Sequence, residues 1–332
     1  MRVGVESYVV GAVLFAGATL PSCGSHTRVP YAVVSAPRDW SAHPAIVEID
    51  SGPTIYAMSD VHGGYDRMIA LLARHAVIDA APKTPDAVHW TAGRSVLVVT
   101  GDLMDKGPSS LEAIDLLQAL EPQAFAQGGR VIFTLGNHEA EFLDDPQNDK
   151  ATSSEGVDRE IWAHGLDPSK IANGSDPRGV WLRDRAFAAR IGRWFFAHAG
   201  DTHGRSVAAL EVALRAGVTA HDYDDAEIIG AASILESRDW YSSDGSTGLR
   251  YAQAVGAQHI VFGHQPAALG SRGAIAVGQG GALFRIDCGM TPSVNDSSGA
   301  ILRVRIDGGF DVAESLEPDG TIREIWRGSV GQ

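Results

Sequence analysis

The sequence predicts an α/β fold in which two β-sheets pack face to face as a sandwich flanked by helices. Short runs of apolar, β-branched or aromatic residues recur along the chain, and several of them end in a polar motif that contains glycine. Between these runs, apolar residues recur at spacings of three and four, which is typical of helices packed on a sheet. With 332 residues, of which 44% are hydrophobic, the chain can bury a large core.

The individual elements follow these apolar patterns along the chain. We predict strands at residues 54–58, 95–100, 130–135, 193–197, 259–262, 283–287 and 301–306. We predict helices at residues 65–76, 111–120, 206–216 and 226–237. Ser109 or Ser110 is expected to cap the second helix. Both sheets should take strands from each half of the chain, with the last two strands on the second sheet.

The chain divides into a leader, a tether, a main domain and a C-terminal hairpin. These segments are residues 1–23, 24–50, 51–312 and 313–332. Within the main domain, residues from about 141 to 193 lack a clear strand, so we expect this insertion to cover the site as a cap. The hairpin should turn at Pro318–Gly320, because proline, aspartate and glycine favour tight turns.

The leader predicts an exported protein. Residues 1–23 have the size and flanks of a signal peptide, and Leu20, Ser22 and Cys23 approximate a bacterial lipobox. A lipidated Cys23 would anchor a periplasmic or cell-envelope lipoprotein to the membrane. The alternative is a cytoplasmic protein whose first apolar run is a β-strand. Cys288 is the only other cysteine, so we expect a buried thiol beside the site rather than a disulfide.

Five polar motifs stand at the ends of predicted strands. They are SDVHGG from Ser59, GDLMDKG from Gly101, GNHEAE from Gly136, HAG from His198 and GHQP from Gly263. Each motif alone recurs by chance, and a single histidine after a strand is commonly a structural residue. Their joint occurrence at strand ends, where α/β proteins build their sites, indicates a two-metal phosphoesterase centre.

The residue types in these motifs fit two divalent cations. Two cations about 3.5–4 Å apart can hold a phosphoryl group and lower the pKa of a bridging water that attacks phosphorus in line. Asp102 is the predicted bridge, because the two oxygens of a carboxylate can each contact one ion. The other predicted ligands are Asp60 and His62 for the first ion, and Asn137, His198 and His264 for the second. This mixture of ligands favours manganese, iron or zinc.

The order of the motifs resembles the calcineurin-like metallophosphoesterases. The pattern DxHG, GDxxD, GNHE, HxG and GHQ, spread over residues 54–306, is most similar to the phosphoprotein phosphatase group. This resemblance implies the calcineurin-like two-sheet fold and the same six metal ligands. It also implies attack by a metal-bridging hydroxide, with His138 as the general acid and Asp105 orienting its ring. A carboxylate partner suits this role, because it fixes the tautomer of the histidine and raises its basicity.

The chain departs from the family pattern where phosphate would bind. Lys106 stands where the phosphoprotein phosphatases have arginine, so the charge is kept while the planar, two-pronged contact is lost. In the insertion we predict that Arg183 binds phosphate, the alternative being a helix over residues 180–190 with solvated arginines. The segment LRDR before HAG and the segment IDCGM at Ile286–Met290 are similar to the bacterial Shewanella-like protein phosphatases.

These features predict a metal-dependent phosphomonoesterase that acts on a phosphoprotein or a small phosphoester. Gln265 supports this class, because the longer GHxH pattern of phosphodiesterases has a second histidine there. One alternative is a hydrolase of dinucleoside polyphosphates or other phosphoanhydrides, since a related branch shares three of the motifs. A second alternative is a non-enzymatic scaffold, which the complete ligand set disfavours. The net charge of −14 argues against nucleic acid as a partner.

Overall fold

The computed structural model describes residues 37–242, 244–294 and 297–329, and it confirms the predicted two-sheet α/β fold. The predicted signal peptide with Cys23, and the first part of the predicted tether, lie outside these residues. Within the described ranges, no helix is both long and apolar enough to cross a bilayer.

The strands of the described residues form two six-stranded sheets. They are β1 (Ile46–Ile49), β2 (Thr54–Met58), β3 (Val96–Thr100), β4 (Arg130–Thr134), β5 (Ala188–Ile191), β6 (Trp194–Ala197), β7 (His259–Phe262), β8 (Ala276–Gly278), β9 (Leu283–Arg285), β10 (Ile301–Asp307), β11 (Phe310–Leu316) and β12 (Ile322–Ser329). Sheet I has the order β1-β5-β6-β7-β9-β8, and sheet II has the order β12-β11-β10-β2-β3-β4. Each sheet therefore takes strands from both halves of the chain, as predicted.

Helices cover the outer faces of the sheets and fill the connections. They are α1 (Tyr65–Arg74), α2 (Ser110–Ala126), α3 (Asn137–Asp144), α4 (Val157–Ala163), α5 (Pro168–Ala172), α6 (Pro177–Arg183), α7 (Val207–His221), α8 (Ala226–Ile229) and α9 (Thr247–Ala254). The predicted helix at residues 226–237 is wrong beyond Ile229, where α8 ends and turns follow.

The core has two apolar layers. In one buried cluster, Ile55 of β2 packs with Phe196 of β6 and Val261 of β7, so this cluster lies between the sheets. In the other, Leu97 of β3 packs with residues of the helices such as Leu117 of α2. Every residue of β3 is buried, as expected for a parallel strand that is covered on both faces.

The carboxyl ends of the parallel strands lie at one edge of each sheet. In sheet II, β2, β3 and β4 are parallel neighbours. In sheet I, β6, β7 and β9 are parallel neighbours. Polar loops that follow these strands therefore gather where the two sets of strands end, the usual place for a site in an α/β protein.

Three predictions about segments and strands are wrong. The predicted strands at 283–287 and 301–306 do not share a sheet, because β9 pairs with β7 whereas β10 pairs with β2. The tether predicted over residues 24–50 cannot extend to its end, because β1 pairs with β5 in sheet I. The predicted domain boundary at residue 312 falls inside β11, so the C-terminal hairpin is a continuous part of sheet II.

The insertion predicted at about residues 141–193 begins as helices and ends as part of sheet I. Residues Ala188–Ile191 form β5 between β1 and β6, so the expectation of a segment without a strand is wrong there. The alternative helix over residues 180–190 is also wrong beyond Arg183, where α6 ends. Four residues are too few to show a strand period, and the pairing partner β1 lies far away in the sequence.

A carboxylate from another helix caps α2. The helix begins at Ser110, and neither predicted serine cap forms: Ser109 makes no side-chain capping bond, and the buried Ser110 hydroxyl has no partner among the described residues. Instead, the Glu160 carboxylate of α4 accepts the Ser110 N–H at 2.8 Å and the Leu111 N–H at 2.6 Å. Because Glu160 is buried, this contact holds the insertion firmly to the main domain.

Glu160→Ala should lower the free energy of unfolding by about 1–3 kcal/mol, because two N–H groups of α2 lose a charged acceptor in a site with little access to water. Chemical denaturation measures the difference. Glu155→Ala is the matched control, since the exposed Glu155 side chain lies just before α4, the helix that carries Glu160. An unfolding midpoint for Glu160→Ala that equals the wild-type midpoint would contradict the capping role.

Candidate metal centre

The predicted ligands meet at the edge where the parallel strands of both sheets end. Asp60 follows β2, Asp102 follows β3, and Asn137 begins α3 just after β4. From sheet I, His198 follows β6 and His264 follows β7. All five are buried. The topology of the fold thus brings residues from distant parts of the chain to one place.

Asp102 lies at the centre of the site. His62, Asp102 and His138 form one group whose potential ligand atoms lie within 4.8 Å of one another, and Asp102, His198 and His264 form a second such group. The Oδ2 atom of Asp102 is 3.3 Å from His62 Nε2, and its Oδ1 atom is 3.3 Å from His198 Nε2. One carboxylate therefore presents a different oxygen to each group, as a bridging ligand must.

Three of the histidines are oriented by the backbone. Each donates one ring N–H to a main-chain carbonyl: His62 Nδ1 to Met104 at 2.8 Å, His198 Nδ1 to Thr100 at 2.8 Å, and His264 Nε2 to Glu236 at 3.2 Å. The second nitrogen of His62 and that of His198 each lie 3.3 Å from an Asp102 oxygen. Metal-binding histidines in proteins are held in the same way, because the outer hydrogen bond fixes the ring and its tautomer.

The remaining two predicted ligands are also held in place. Asn137 Oδ1 accepts a hydrogen bond from His198 Nε2 at 3.0 Å. Asp60 accepts the Ser59 hydroxyl and the His264 backbone N–H, the latter at 3.1 Å and 3.2 Å from its two oxygens. Ser59 stands where the phosphoprotein phosphatase pattern has glycine, so this chain adds a hydroxyl donor to the Asp60 carboxylate.

The electrostatics of the site call for positive charge. Burial raises the pKa of Asp60, and burial together with Asp60 raises the pKa of Asp287 well above its usual value. Burial would raise the pKa of Asp102 as well, but His198 and His138 lower it well below its usual range. Burial lowers the pKa of His198, but Asp102 and Asp60 outweigh this effect and raise it to about 10. In the chain alone, a proton on His198 thus compensates the crowded carboxylates.

Divalent cations fit this environment. Burial lowers the pKa of His62 well below its usual value and that of His264 to about 3, so both rings are neutral and each keeps one lone pair. The lone pair of His62 faces the Lys106 ammonium group at 2.9 Å. Asp287 Oδ1 is buried and has no hydrogen-bond partner among the described residues. Neutral imidazoles, ionised carboxylates and an amide oxygen are the ligands that transition-metal sites use. A bound cation would supply positive charge that balances the carboxylates.

Several ligands occupy a strained backbone conformation. Asp60, His62, Asp102 and His264 have φ angles of 54°, 47°, 54° and 65°, in the left-handed region that non-glycine residues rarely adopt. The sequence had suggested that neighbouring glycines would make these turns. Gly101 does so, with φ 77° and no room for a side chain beside Gly136, but the ligands themselves carry much of the strain. Such strain is commonly found at functional sites.

Glu139 is a structural residue of the site that the sequence reasoning missed. Its carboxylate is fully buried and accepts four backbone N–H groups. These belong to Asp102 at 2.9 Å, Leu103 at 2.8 Å, Met104 at 3.0 Å and Gly136 at 2.8 Å. The side chain therefore joins the loop after β3 to the loop after β4. A glutamate three residues after Gly136 matches a helix-capping pattern, and that spacing could have revealed part of this role.

His138 and Asp105 form a buried pair at the side of the site. His138 Nδ1 donates to Asp105 Oδ2 at 2.7 Å, and His138 Nε2 lies 3.8 Å from Asp102 Oδ2. The other oxygen of Asp105 accepts the Val157 N–H at 2.8 Å, so the insertion helps to hold the carboxylate. The Nε2 atom of His138 is thereby aimed at the same space as the candidate ligands.

Of the two predicted phosphate-binding residues, the structure places only one at the site. The Lys106 ammonium group lies 2.9 Å from His62 Nε2. The structure gives Arg183 other partners: its guanidinium pairs with Asp222 and donates to the Ala172 carbonyl at 2.8 Å. Its ion-pair partner is 39 residues distant in the sequence, which a local reading cannot detect.

Arg238 is a second residue that the sequence reasoning missed. It is exposed, and among the described residues it makes no hydrogen bond or ion pair. It lies close enough to His264 that, after burial and His198, its charge contributes to the lowered pKa of that ring. A guanidinium at the rim of such a site can bind oxyanions. Arg238 belongs to none of the sequence motifs, so no signal in the sequence would have identified it.

The chain is similar to a known family and to several known proteins. The family model described as calcineurin-like phosphoesterase matches residues 53–268. The chain is 30% identical over 149 residues to the symmetrical bis(5'-nucleosyl)-tetraphosphatase of Escherichia coli, which is 44% of this chain and 43% of that protein. It is 27% identical over 117 residues to Shewanella-like protein phosphatase 2 of Arabidopsis thaliana, covering 34% and 28% of the two chains. The chain thus spans less than half the length of these curated relatives.

Solved structures show the same fold over most of the chain. A cold-active protein tyrosine phosphatase aligns with a TM-score of 0.70 and 21% sequence identity over 87% of this chain and 82% of that chain. A crystal structure of such an enzyme from a psychrophilic Shewanella species aligns with a TM-score of 0.66 and 20% identity, covering 85% and 82%. At this level of identity the likeness concerns the fold.

Asp102→Asn should lower bound metal more than Asp60→Asn, because the Asp102 carboxylate belongs to both groups of candidate ligands whereas Asp60 contacts one of them through the His264 N–H. Elemental analysis of the purified variants measures the metal content, and 4-nitrophenyl phosphate hydrolysis should fall to near zero in Asp102→Asn. Wild-type metal content together with the wild-type rate in Asp102→Asn would contradict the bridging assignment.

Proposed function

Because the chain belongs to the calcineurin-like phosphoesterase family of metallophosphoesterases, we propose that it is a phosphatase that hydrolyses phosphomonoesters, on a phosphoprotein or a small phosphoester. The observation that carries this proposal is the hydrogen bond from His138 to Asp105, which orients a histidine that belongs to one of the two groups of candidate ligands. When bound, two divalent cations, manganese, iron or zinc, would neutralise phosphoryl oxygens and lower the pKa of the attacking water. The other tasks fall to the side chains of the site.

The geometry gives His138 the task of delivering a proton. Because the Nδ1 proton is held in the hydrogen bond to Asp105, the proton that a charged ring can transfer is carried at Nε2, which lies 3.8 Å from Asp102 Oδ2. There it can be transferred to the oxygen of the leaving alcohol as the bond to phosphorus breaks. Asp105 stabilises the positive ring before transfer and fixes its orientation. Its second hydrogen bond, from Val157, prevents the carboxylate from rotating away.

Two cationic side chains are suited to the phosphoryl oxygens. Lys106 lies on the His62 side of the site and Arg238 on the His264 side. Their positions let them contact oxygens that the cations do not neutralise, and an arginine at this rim offers the two-pronged contact that Lys106 cannot make. The net charge of −14 supports a phosphorylated protein or small molecule as partner rather than nucleic acid.

The alternative function, hydrolysis of phosphoanhydrides such as dinucleoside polyphosphates, has one specific observation in its favour. The relatives named symmetrical bis(5'-nucleosyl)-tetraphosphatase share 30% identity with this chain over 149 residues. Against it, the described residues place few unpaired basic side chains around the site to receive a long polyphosphate. Arg178, Arg183 and Arg185 of the insertion are paired with carboxylates. A non-enzymatic scaffold is disfavoured because every predicted ligand is present.

A substrate panel separates the two enzyme classes. With manganese present, the protein should hydrolyse phosphoserine, phosphothreonine or phosphotyrosine peptides and 4-nitrophenyl phosphate with a higher kcat/KM than bis(4-nitrophenyl) phosphate or diadenosine tetraphosphate. The physical reason is the single general acid and the limited positive charge, which suit one phosphoryl group. Release of phosphate and of nucleotide is measured under identical conditions. Faster cleavage of diadenosine tetraphosphate than of every monoester would reject the proposal.

His138→Ala should slow hydrolysis of an alkyl ester such as phosphoserine far more than that of 4-nitrophenyl phosphate, whose phenolate leaves without a proton. General acids typically contribute ~10²–10⁴-fold, so the loss on phosphoserine should fall in that range. Asp105→Asn should show the same dependence in milder form. Metal content, measured by elemental analysis, should be retained. An equal loss on both substrates, or a loss of metal, would mean that His138 is a ligand or a positioning residue.

A further inference from the structure

A cleft adjoins the candidate metal centre on the side where Asp105, the partner of His138, is held. Its volume is about 380 Å³, and it lies between the loop Lys106–Pro108 and the segment Ser154–Glu160 of the insertion. Clefts of this size receive small ligands or individual side chains. Lys106 belongs both to this cleft and to the site, since its ammonium group lies 2.9 Å from His62. The cleft therefore adjoins the site at Lys106, next to the segment whose Val157 N–H holds Asp105, the partner of His138.

The far wall of the cleft is fixed to the general-acid pair. The Val157 N–H donates to Asp105 at 2.8 Å, and the Lys106 N–H donates to the Glu155 carbonyl at 2.7 Å. Gly156 between them has no space for a side chain, because a β-carbon there would lie 2.0 Å from the Ala151 carbonyl oxygen. The segment is therefore held at a constant position relative to His138, although the chain crosses about fifty residues from Asp105 to Val157.

Arg159 is the basic side chain of this wall. It is exposed, and its one hydrogen bond within the described part of the chain is a long contact of 3.4 Å to the Ser154 carbonyl. Other arginines of the insertion are held in ion pairs: Arg178 with Asp115, Arg183 with Asp222 and Arg185 with Glu121. Arg159 has no such carboxylate partner among the residues that the structure describes, so its guanidinium is available to a ligand.

We propose that this cleft is the subsite for the leaving group, and that Arg159 selects substrates whose leaving group carries a carboxylate close to the phosphorylated residue. The proposal rests on the phosphomonoesterase function proposed above and names a preferred class, a phosphopeptide with an adjacent acidic side chain. Arg159 binds this side chain while Lys106 remains with the phosphoryl group. Arg159 is thus a specificity-determining residue, and the chemistry at phosphorus is unchanged.

The charge of the cleft favours one carboxylate over a polyphosphate. Lys106 and Arg159 are balanced by Glu155 and Glu160, so the lining has no net charge. The Glu160 carboxylate is occupied by two N–H groups of α2, which leaves Glu155 as the acidic side chain free to face a ligand. A single carboxylate can pair with Arg159 alone. A chain of phosphates would also meet Glu155, and like charges at that distance repel.

The test compares phosphopeptides that differ in one residue. Phosphoserine peptides carry glutamate, glutamine or lysine at one or two residues on either side of the phosphoserine, and kcat/KM is measured with manganese. Wild-type protein should prefer the best glutamate peptide over its glutamine counterpart by roughly two- to fivefold, the range expected for an ion pair with an exposed arginine. The ratio of kcat/KM for the glutamate peptide to kcat/KM for the glutamine peptide should fall to about one in Arg159→Ala. Arg159→Glu should prefer the lysine peptide. Arg272→Ala, an exposed arginine outside the site and the cleft, should keep the wild-type ratio.

The outcomes separate this proposal from the proposed function. If the peptides are hydrolysed and wild type shows no preference for glutamate at any position, or if Arg159→Ala lowers kcat/KM equally for all peptides, the subsite is overturned and the phosphatase stands. If Arg159→Ala changes the rate only on diadenosine tetraphosphate, the bound anion is a phosphate and the carboxylate assignment is overturned. If no monoester, including 4-nitrophenyl phosphate, is hydrolysed, both proposals fail together.

Discussion

The site depends on one buried carboxylate that is not itself a candidate ligand. Glu139 accepts four backbone N–H groups from two loops, and its two oxygens thereby set the distance between Asp102 and Asn137. Each of these N–H groups lies in a place that water does not reach, so each would lose a hydrogen bond without the carboxylate. The left-handed conformation of Asp102 costs free energy, and these bonds compensate for that cost.

The two sheets divide the work of building the centre. Sheet II contributes Asp60, His62, Asp102 and Asn137, whereas sheet I contributes His198 and His264. The group of Asp102, His198 and His264 takes ligands from both sheets, so it forms only when the apolar layer between the sheets is packed. The insertion then supplies the outer supports, with Glu160 capping α2 and Val157 bonded to Asp105. Packing, capping and candidate ligands therefore form one connected system.

Much of this arrangement could be predicted from the sequence, because the motifs follow strands whose apolar composition is strong. A site that lies at strand ends needs only the order of the strands to bring Asp60, Asp102 and His198 together. Interactions between distant side chains could not be predicted in this way. Arg183 was predicted to bind phosphate, but it pairs with Asp222. A serine was predicted to cap α2, but the carboxylate of Glu160, fifty residues away, caps it. β5 has four residues and owes its conformation to β1 and β6.

The strand order of sheet II also bears on how the chain is made. β2, which leads to Asp60, is paired on one side with β3 soon after it in the sequence, but on its other side with β10. A ribosome releases β10 only after almost the whole domain has emerged. Until then β2 has an open edge of unpaired N–H and carbonyl groups, which other nascent chains can join. The last strands thus protect the first ligand-bearing strand from aggregation, and loss of the C-terminal segment would expose it.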